Sequence, residues 1–399
     1  MKKVNILGVN FSYLSKQEVL DRLERFILSG RAHLVVTPNA EFILATNHDE
    51  EFYHILNSAD LSVLDGSGPQ LASYIMGSPI ERFPGADFVK EIFCLSEELQ
   101  KKVVVVNWKA GLSTASEIKK ALLNNWPQLQ LEVIDVDREV SESDVQKIHE
   151  LNPVVLISTL GAPFQEKFLY HQLNKIDNLR LAIGVGGALD FLTGRAKRAP
   201  RIMRVVGLEW AWRLLMQPSR FKRIWNATSV FVYKFIRWQF ILPHLYRPNV
   251  ACMVYKKIGD EYFVLLVERV DQKNHWQLPQ GGTDGQGIAL AGTREVEEEL
   301  GIKKLTKVKI FKDIWRYDFP KKSHSLIMRH SGYKGQKQSL LIAEFADLEE
   351  NIKINFWDHS AWKWVRAADL VDETYEVRRE GYRKFLEIFN NSIQKNVEN

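Results

Sequence analysis

Cysteine is scarce in this chain of 399 residues, which contains only Cys94 and Cys252. Disulfide frameworks and thiolate metal sites need several cysteines at short spacings, so both are excluded. The same scarcity favours a reducing compartment. We expect both residues to be inert thiols in the hydrophobic core.

Long apolar runs are also missing. No stretch of about 18 uncharged apolar residues occurs, and the nearest approach, residues 224–245, is interrupted by Lys234 and Arg237. Near the start of the chain, Asn10 and Ser12 come too early to leave room for the apolar core of a signal peptide. These absences predict a cytoplasmic protein with no membrane-spanning segment.

Acidic residues are almost absent from residues 195–240. This segment holds Glu209 against eleven Lys and Arg, a net charge of +10 in a chain whose total is +5. Nine aromatic residues are interleaved with the cations, a mixture that suits an anionic lipid surface or single-stranded nucleic acid. Helices that bury the aromatics and leave a solvated basic face are a third interpretation. We expect a negatively charged partner.

The rest of the composition is that of a folded globular protein, with 45% hydrophobic and 26% charged residues. The length suits two domains. Over the first two thirds, amphipathic stretches alternate with short β-branched runs at residues 33–37, 61–64, 102–106, 153–157 and 179–183. This alternation predicts βαβ units around a mostly parallel sheet, whose strands should bring their polar carboxyl ends to one crevice.

Three clusters near these strand ends are candidates for chemistry. Asp65 follows an apolar strand and precedes Gly66-Ser-Gly68, so it can act as a general base or cap the next helix. The glycines of Gly184-Val-Gly-Gly187 suit either a phosphate held by backbone amides or an ordinary turn. Asp135-Val-Asp137 matches the Asp-x-Asp metal site of many nucleotide-sugar glycosyltransferases, although we prefer a loop at a strand end.

A series of motifs also follows in order along residues 4–240. They are Thr37-Pro-Asn39, Ala59-Asp60, Asp65-Gly66, Arg82-Phe-Pro-Gly-Ala-Asp87, Leu160-Gly-Ala-Pro-Phe-Gln165-Glu-Lys167, Gly184-Val-Gly-Gly-Ala-Leu-Asp190-Phe-Leu-Thr-Gly194, Arg195-Ala-Lys-Arg-Ala-Pro200, Gly207-Leu-Glu-Trp210 and Arg213-Leu-Leu. Together they resemble the WecG/TagA/CpsF glycosyltransferase family. One departure is Asn107-Trp-Lys-Ala-Gly111, where we expect a glycine-rich turn.

This resemblance implies a Rossmann-like α/β domain of cell-surface polysaccharide synthesis. Such a domain transfers an N-acetylmannosamine-type sugar, with inversion and no obligatory metal, from a UDP-sugar donor to a polyprenyl-diphosphate-linked N-acetylglucosamine acceptor. On this basis Asp65 deprotonates the acceptor, whereas Thr37, Asn39 and Gln165 line the sugar site. Arg82 offsets charge on the leaving diphosphate, with a surface cation as the alternative. The basic aromatic segment would meet the anionic inner face of the cell membrane and help to close the site.

A second signature follows residue 245, where the pattern changes to strands and hairpin-like breaks. On a helix, Glu295, Glu298 and Glu299 are spaced i, i+3 and i+4, so their carboxylates share one face that can bind a hard divalent cation. Glu297 points elsewhere, toward solvent. The spacing alone also fits a solvated acidic face, but the glycine-rich loop and Arg294 that precede the carboxylates favour the metal site.

Four further motifs flank this helix: Tyr246-Arg-Pro-Asn-Val250, Trp276-Gln-Leu-Pro-Gln-Gly-Gly282, Gly335-Gln-Lys-Gln338 and Trp362-Lys-Trp-Val365. With them, the helix and its loop resemble the Nudix box of bacterial RNA pyrophosphohydrolase. The resemblance implies an α/β/α sandwich that hydrolyses a nucleoside-diphosphate-containing substrate with Mg²⁺, or with Mn²⁺, held by Glu295, Glu298 and Glu299. Glu298 and Arg294 would be catalytic, Asp358 a further metal ligand and Arg269 a phosphate contact.

The sequence therefore predicts a bifunctional enzyme, with a transferase core at residues 1–194, a basic membrane-association segment at 195–245 and a Nudix domain at 246–399. The Nudix loop is one residue short, and Gln286 or Ile288 replaces its usual glutamate, so we expect weaker support of the loop and retained metal binding. In one alternative, only one domain is active and the Nudix domain senses nucleotide. In another, the basic segment binds RNA and delivers its 5′ end to the Nudix site. A homo-oligomer is compatible with each of these.

Overall fold

The computed structural model describes residues 2–200, 203, 209–216, 221, 225–319 and 331–394. The chain divides into two compact units, residues 1–237 and 238–399. Among the described residues, a hydrophobic cluster lies between the sheet and helices of the first unit, and two further clusters lie in the second unit.

The first unit is an α/β structure. Its helices and strands are, in chain order, β1 (Lys3–Ile6), β2 (Val9–Ser12), α1 (Lys16–Ile27), β3 (His33–Val36), α2 (Ala40–Ala45), α3 (Glu50–Ser58), β4 (Leu61–Ser62), α4 (Ser67–Ile75), α5 (Gly85–Glu98), β5 (Val103–Trp108), α6 (Ala115–Asn125), β6 (Leu131–Val136), α7 (Glu142–Leu151), β7 (Val155–Ser158), α8 (Phe164–Gln172), β8 (Leu181–Gly184), α9 (Glu209–Met216) and α10 (Phe231–Ile236). Strands β1 and β2 form an antiparallel hairpin. The other six form a parallel sheet in the order β4-β3-β8-β7-β5-β6, so the predicted α/β fold is confirmed.

The central strands of this sheet are apolar on both faces. Residues 103–106 of β5 and 181–183 of β8 are fully buried, because helices cover both faces of a parallel sheet. The edge strand β6 is only partly buried. Its run of apolar residues is interrupted by Glu132 and Asp135, so the sequence pattern does not identify it as a strand.

The basic segment is described in part. Five of its cations lie outside the described residues: Arg201, Arg204, Arg220, Lys222 and Arg223. Phe231 and Phe235 of α10 are buried, and Phe231 contacts Gly68 at the start of α4. Other aromatics of the segment are more than half exposed, namely Phe221, Trp225 and Tyr233. Within the ranges given above, no helix combines the length and apolarity needed to cross a bilayer.

The second unit is a sheet between two helices. Its elements are β9 (Tyr246–Ile258), β10 (Glu261–Arg269), β11 (Trp276–Gln277), β12 (Gln280–Gly282), α11 (Ile288–Leu300), β13 (Leu305–Asp318), β14 (Gly335–Phe345), β15 (His359–Arg366) and α12 (Arg379–Gln394). The strand order is β11-β10-β9-β14-β13, with β12 paired to β9 and β15 to β10. Strands β9 and β14 are parallel, and the other pairs are antiparallel.

Successive residues of β9 point to opposite faces of this sheet. Val250 and Cys252 cluster with α11, whereas Ala251 and Met253 cluster with α12. The predicted α/β/α sandwich is therefore confirmed. Burial raises the pKa of the Cys252 thiol, as expected of an inert core thiol. The same expectation is wrong for Cys94, which is only partly buried on α5.

Candidate active sites

A cleft of about 1000 Å³ lies at the carboxyl ends of the parallel strands of the first unit. Thr37 and Asn39 follow β3, Asp65 follows β4, and Gln165 lies at the start of α8. All four line the cleft, together with residues at the ends of β5 and β8. The structure thus brings together the polar clusters that the sequence analysis assigned to one crevice.

Asp65 lies in the loop between β4 and α4. The N-cap residue of α4 is Gly66, so Asp65 does not occupy the capping position that was the alternative to a catalytic role. A Cβ added to Gly85, the first residue of α5, would lie 3.7 Å from Asp65 Oδ2 and 4.0 Å from Thr37 Oγ1. Because residue 85 is glycine, the carboxylate and the hydroxyl face one small open volume.

Asn39 has a structural role in addition to lining the cleft. It is the N-cap residue of α2, and its Oδ1 accepts hydrogen bonds from the backbone N–H groups of Glu41 at 2.9 Å and Phe42 at 3.2 Å. These bonds satisfy two of the N–H groups that a helix leaves unpaired at its start. The side-chain NH₂ of Asn39 is the part that the cap does not use.

Arg82 lies in the loop before α5, is partly buried and is not among the residues that line the cleft.

Arg198 of the basic segment does line the cleft. Its Nη1 and Nη2 donate to the two carboxylate oxygens of Asp87 at 2.6 and 2.5 Å. This bidentate ion pair fastens the start of the basic segment to α5. Sequence reasoning missed it, because the two residues are 111 positions apart.

Gln165 joins two loops of the cleft. Its Oε1 accepts hydrogen bonds from the backbone N–H groups of Gly161 at 3.1 Å and Gly186 at 3.0 Å. Its Nε2 donates to Glu166 Oε1 at 2.6 Å. A Cβ atom added to Gly184 would overlap the side-chain amide of Gln165, so only glycine fits at this position of β8. Gln165 therefore lines the cleft with its amide already bonded and holds the loops after β7 and β8 together.

Glu166 is a buried acid with little hydrogen bonding. It is 1% exposed, and its Oε2 has no partner among the described residues. Burial raises the pKa of Glu166 to about 8, although the hydrogen bond from Gln165 acts in the opposite direction. The carboxyl is therefore protonated at neutral pH.

The turn after β5 contains one glycine, Gly111, where we expected a glycine-rich turn, and a side-chain network supports it. Asn107 Nδ2 donates to Asp135 Oδ1 at 2.7 Å and to the carbonyl oxygen of Ser113 at 2.9 Å. Asp135 also accepts a hydrogen bond from the backbone N–H of Ala115 at the start of α6. These bonds hold the Asp135 carboxylate at the end of β6, which argues against the metal interpretation of Asp135-Val-Asp137. The expected loop begins only at Asp137, because Asp135 and Val136 are the last two residues of the strand.

A stack of one cation and two aromatic rings borders the same cleft, and the sequence analysis did not identify it. The guanidinium carbon of Arg138 lies 3.9 Å from the ring centroid of Trp108 and 5.3 Å from that of Phe164. Cation–π contacts of this kind fix the position of an arginine without neutralising its charge. Trp108 and Arg138 both line the cleft, so the stack presents a positive charge to whatever binds there.

In the second unit, α11 carries the predicted carboxylates. Glu295 and Glu299 are buried, whereas Glu297 and Glu298 are exposed. Arg294 Nη2 donates to Glu295 Oε1 at 2.6 Å, and Nη1 donates to Glu298 Oε2 at 2.7 Å. Burial raises the pKa of Glu295 to about 7, and the neighbouring Glu298 contributes to the rise while Arg294 opposes it.

The loop before α11 supports Arg294. Gln286 Oε1 accepts a hydrogen bond from Arg294 Nε at 3.2 Å, and the carbonyl oxygen of Gly282 accepts one from Nη2 at 2.9 Å. Of the two residues that could replace the usual loop glutamate, Gln286 is therefore the one that contacts the helix arginine. Ile288 instead begins α11 and packs against the core.

Arg269 and Asp358 lie on the same side of the unit as Glu299. Burial alone would lower the pKa of the Arg269 guanidinium. The negative charges of Asp271, Asp358 and Glu299 outweigh this effect, so the pKa is raised. Arg269 donates to both carboxylate oxygens of Asp271, at 2.7 and 2.8 Å. The backbone N–H of Asp358 donates to Asn355 Oδ1 at 3.0 Å, and Asn355 Nδ2 donates to a carbonyl oxygen of α11 at 3.4 Å.

In the described part of the chain, no three His, Cys, Asp or Glu side chains are gathered as a metal site. The predicted ligand set of Glu295, Glu298, Glu299 and Asp358 is thus not assembled around one point. The donors nevertheless have the chemistry that a hard divalent cation prefers, because three carboxylates project from one helix. Arg294 donates hydrogen bonds to two of them, Glu295 and Glu298. The residues present fit a divalent cation that would take over this role from Arg294.

The buried Glu166 predicts a pH dependence of stability. Its pKa of about 8 lies above the ordinary value of 4.5, so between these values the folded state binds a proton that the unfolded state releases. Stability should therefore fall as pH rises from 5 to 8, by on the order of 1.4 kcal/mol per pH unit.

Glu166→Gln keeps an acceptor for Gln165 and should flatten this dependence of the unfolding free energy on pH. Calorimetric unfolding across the pH range measures it, with the exposed Glu150→Gln as the control. An equal slope in wild type and Glu166→Gln would contradict the prediction.

Comparisons with known proteins agree with the two units. The Glycosyl transferase WecG/TagA/CpsF family model matches residues 4–244, and the NUDIX domain model matches residues 245–387. Two N-acetylglucosaminyldiphosphoundecaprenol N-acetyl-beta-D-mannosaminyltransferases of Staphylococcus aureus, from strains MRSA252 and MW2, are 28% identical to this chain over 240 residues, which is 58% of this chain and 91% of theirs.

Among solved structures, a C. elegans Ap4A hydrolase complex is 21% identical in sequence, with a TM-score of 0.29. The alignment covers 36% of this chain and 98% of the hydrolase chain. The E. coli dihydroneopterin triphosphate pyrophosphohydrolase has 22% identity, covers 36% of this chain and 97% of its own, and has a TM-score of 0.28. Because the glycosyl transferase model matches more than half of its length, the chain belongs to the WecG/TagA/CpsF glycosyl transferase family, and it carries a C-terminal NUDIX domain.

Proposed function

We propose that the first unit transfers an N-acetylmannosamine-type sugar, with inversion, from a UDP-sugar to a polyprenyl-diphosphate-linked N-acetylglucosamine. The observation that carries this proposal is the position of Asp65, a carboxylate at a strand end that faces open volume in the cleft beside Thr37. The N-acetyl-beta-D-mannosaminyltransferase activity of the Staphylococcus aureus relatives supports the same sugar and the same class of acceptor.

In this proposal Asp65 accepts the proton of the acceptor hydroxyl as that oxygen attacks the anomeric carbon of the sugar. The bond to the diphosphate breaks on the opposite face, which inverts the configuration and releases UDP. Thr37, Asn39 and Gln165 position the sugar. The growing negative charge on the diphosphate needs a cation. Arg82 is our proposed source of that charge, and the cleft offers Arg138 and Arg198 as well.

Asp65→Asn should lower the rate of sugar transfer by about 10²–10⁴-fold, because the amide cannot accept the proton. The measurement is UDP release from the UDP-sugar in the presence of a lipid-linked acceptor. Asp137→Asn is the matched control, since Asp137 is paired with Lys109 at 2.5 Å and should keep transfer within a few-fold of wild type. Transfer within tenfold of wild type in Asp65→Asn would remove this residue from the mechanism, and loss in Asp137→Asn would restore the Asp-x-Asp interpretation.

We further propose that the basic segment associates peripherally with the inner face of the cell membrane. Its net charge of +10 supports this, and so do its exposed aromatics. Nearby helix α4 adds three exposed apolar residues, Leu71, Tyr74 and Ile75, and α4 contacts α10. Phe231 and Phe235, by contrast, face inward. The segment therefore combines an anchored side with an exposed apolar side, which is the pattern of an interfacial helix.

Reversing three charges to give Arg220→Glu, Lys222→Glu and Arg223→Glu together should weaken binding to anionic vesicles by at least about 100-fold, since each cation contributes on the order of 1 kcal/mol at such a surface. Sedimentation with vesicles over a salt series measures this. The control reverses the charge of three exposed lysines outside the segment, namely Lys90, Lys120 and Lys175. Salt-independent binding would contradict the membrane assignment. Retention on single-stranded RNA without binding to vesicles would favour the RNA alternative.

For the second unit we propose hydrolysis of a nucleoside-diphosphate-containing substrate that depends on Mg²⁺, with Mn²⁺ as an alternative. Glu295, Glu298 and Glu299 would hold the cation, with Asp358 as a further carboxylate. When bound, the cation supplies positive charge to the phosphoryl oxygens and acidifies the attacking water. Arg294 orients Glu295 and Glu298, and Arg269 contacts phosphate.

Glu298→Gln and Glu299→Gln should each abolish divalent-metal-dependent cleavage of a phosphate anhydride, because a neutral amide is a poor ligand for a hard cation. Phosphate release from nucleoside polyphosphates measures this. Glu297→Gln lies on another face of the same helix and should be nearly silent. Cleavage that persists in Glu298→Gln and Glu299→Gln, or that needs no metal, would exclude the proposed mechanism. Nucleotide binding by a wild type that hydrolyses nothing would instead favour the sensor alternative.

A further inference from the structure

A second pocket of the first unit lies at the amino ends of the parallel strands, at the opposite edge of the sheet from the cleft. It has a volume of about 500 Å³ and is lined by His33, the first residue of β3, and by three arginines. Arg22 and Arg25 belong to α1, and Arg31 lies in the loop that leads to β3. We call this site the arginine pocket. None of the residues that line it also lines the cleft.

Helix periodicity and one aromatic contact bring the arginines of α1 to this pocket. Arg22, Arg25 and Phe26 are spaced i, i+3 and i+4, so they share one face of the helix. The Phe26 ring is stacked on the imidazole of His33, with 3.9 Å between the ring centroids and an angle of 8° between the planes. Both rings are buried. The stack therefore holds the arginine-bearing face of α1 against the start of β3.

One of the three guanidiniums has an acidic partner. Arg31 Nη2 donates to Asp60 Oδ1 at 2.7 Å, and Asp60 Oδ2 accepts a hydrogen bond from the backbone N–H of Leu34 at 3.1 Å. His33 Nδ1 lies 3.1 Å from the same Oδ1. The imidazole adds no positive charge at neutral pH, because burial lowers the pKa of His33, although Asp60 opposes this effect. The single carboxylate at the pocket is therefore already engaged by Arg31 and the backbone.

Arg22 and Arg25 have no such partner. Among the described residues, neither is paired with a carboxylate. Arg25 lies in the last turn of α1, and its Nε donates to the backbone carbonyl oxygen of Asp21 at 3.0 Å, a neutral contact that suits a cation near the end of a helix. Arg22 Nε is buried and has no hydrogen-bond acceptor in that part of the chain, which is unfavourable for a polar N–H group. The arginine pocket thus has two positive charges without a counter-charge and one donor without an acceptor.

We propose that the arginine pocket binds a phosphate group through Arg22 and Arg25. The forked guanidinium matches the oxygens of a phosphate, so one phosphate supplies both the missing negative charge and the acceptor for Arg22 Nε. A pocket of about 500 Å³ has room for a small phosphorylated molecule. The ligand class is therefore free phosphate or a phosphomonoester. Because the pocket and the cleft share no lining residues, this ligand binds in addition to the transferase substrates.

Modification of the full chain by phenylglyoxal, which reacts with guanidinium groups, tests this residue by residue when the products are located by peptide mass spectrometry. Saturating inorganic phosphate should slow the modification of Arg22 and Arg25 by at least about fivefold, since only the empty pocket reacts. Arg383 of α12 is the matched control in the same digest, because it is exposed and does not line the pocket, so its rate should not change. Sodium chloride at the same ionic strength separates binding from charge screening.

Arg22→Gln should remove the protection of Arg25, whereas Arg383→Gln should leave it unchanged. Arg22→Lys keeps the charge but not the fork, so protection of Arg25 should fall only in part, and this variant carries the test if Arg22→Gln does not fold. Equal protection by phosphate and by chloride, or unchanged protection of Arg25 in either folded variant of Arg22, would overturn the proposal. Glycerol 3-phosphate and vesicles that contain phosphatidic acid carry the same phosphomonoester, so the protection that each gives distinguishes a soluble ligand from a lipid headgroup.

Discussion

In both units a polar side chain lies directly on the backbone of a glycine, and the geometry of each candidate site depends on that contact. Gly184 lies beneath the amide of Gln165, and Gly281 lies beneath the carboxylate of Glu295. At either position an added Cβ would overlap the side chain above it. The close approach fixes the two loops that Gln165 joins at the edge of the cleft. It also fixes the rotation of α11, which in turn decides where Glu298 and Glu299 point.

Burying polar groups this closely raises the question of how their charge is balanced, and the protein uses three arrangements. Glu166 keeps its proton, because burial raises its pKa to about 8. Glu295 is also buried, but Arg294 lies against it and leaves its pKa at about 7. Arg378 cannot lose its charge and has no acidic partner in the described ranges. Glu166 is thus balanced by its proton and Glu295 by the guanidinium beside it, whereas Arg378 donates only to amide oxygens among the described residues.

Features that depend on local periodicity could be predicted from the sequence. The buried strand β5 and the carboxylate face of α11 are of this kind, because neighbouring positions along the chain decide them. Asp65 could be chosen as a candidate because polar residues after parallel strands share one edge. Contacts between distant segments could not be predicted. Nothing in the local pattern shows that Arg198 pairs with Asp87, that Arg138 stacks on Trp108, or that the amide of Gln165 is already bonded.

The charges of the second unit are incomplete in two complementary places. Arg294 donates to both Glu295 and Glu298, so one positive charge faces two carboxylates on α11. Arg378 presents excess positive charge, and Gln280 contacts both groups. A divalent cation held by the α11 carboxylates would compete with Arg294 for Glu295 and Glu298. Because the cation and the phosphates of the proposed substrate attract each other, binding of either one should favour the other by a reciprocal coupling. In the proposed hydrolase, the anionic substrate would therefore help the cation to displace Arg294.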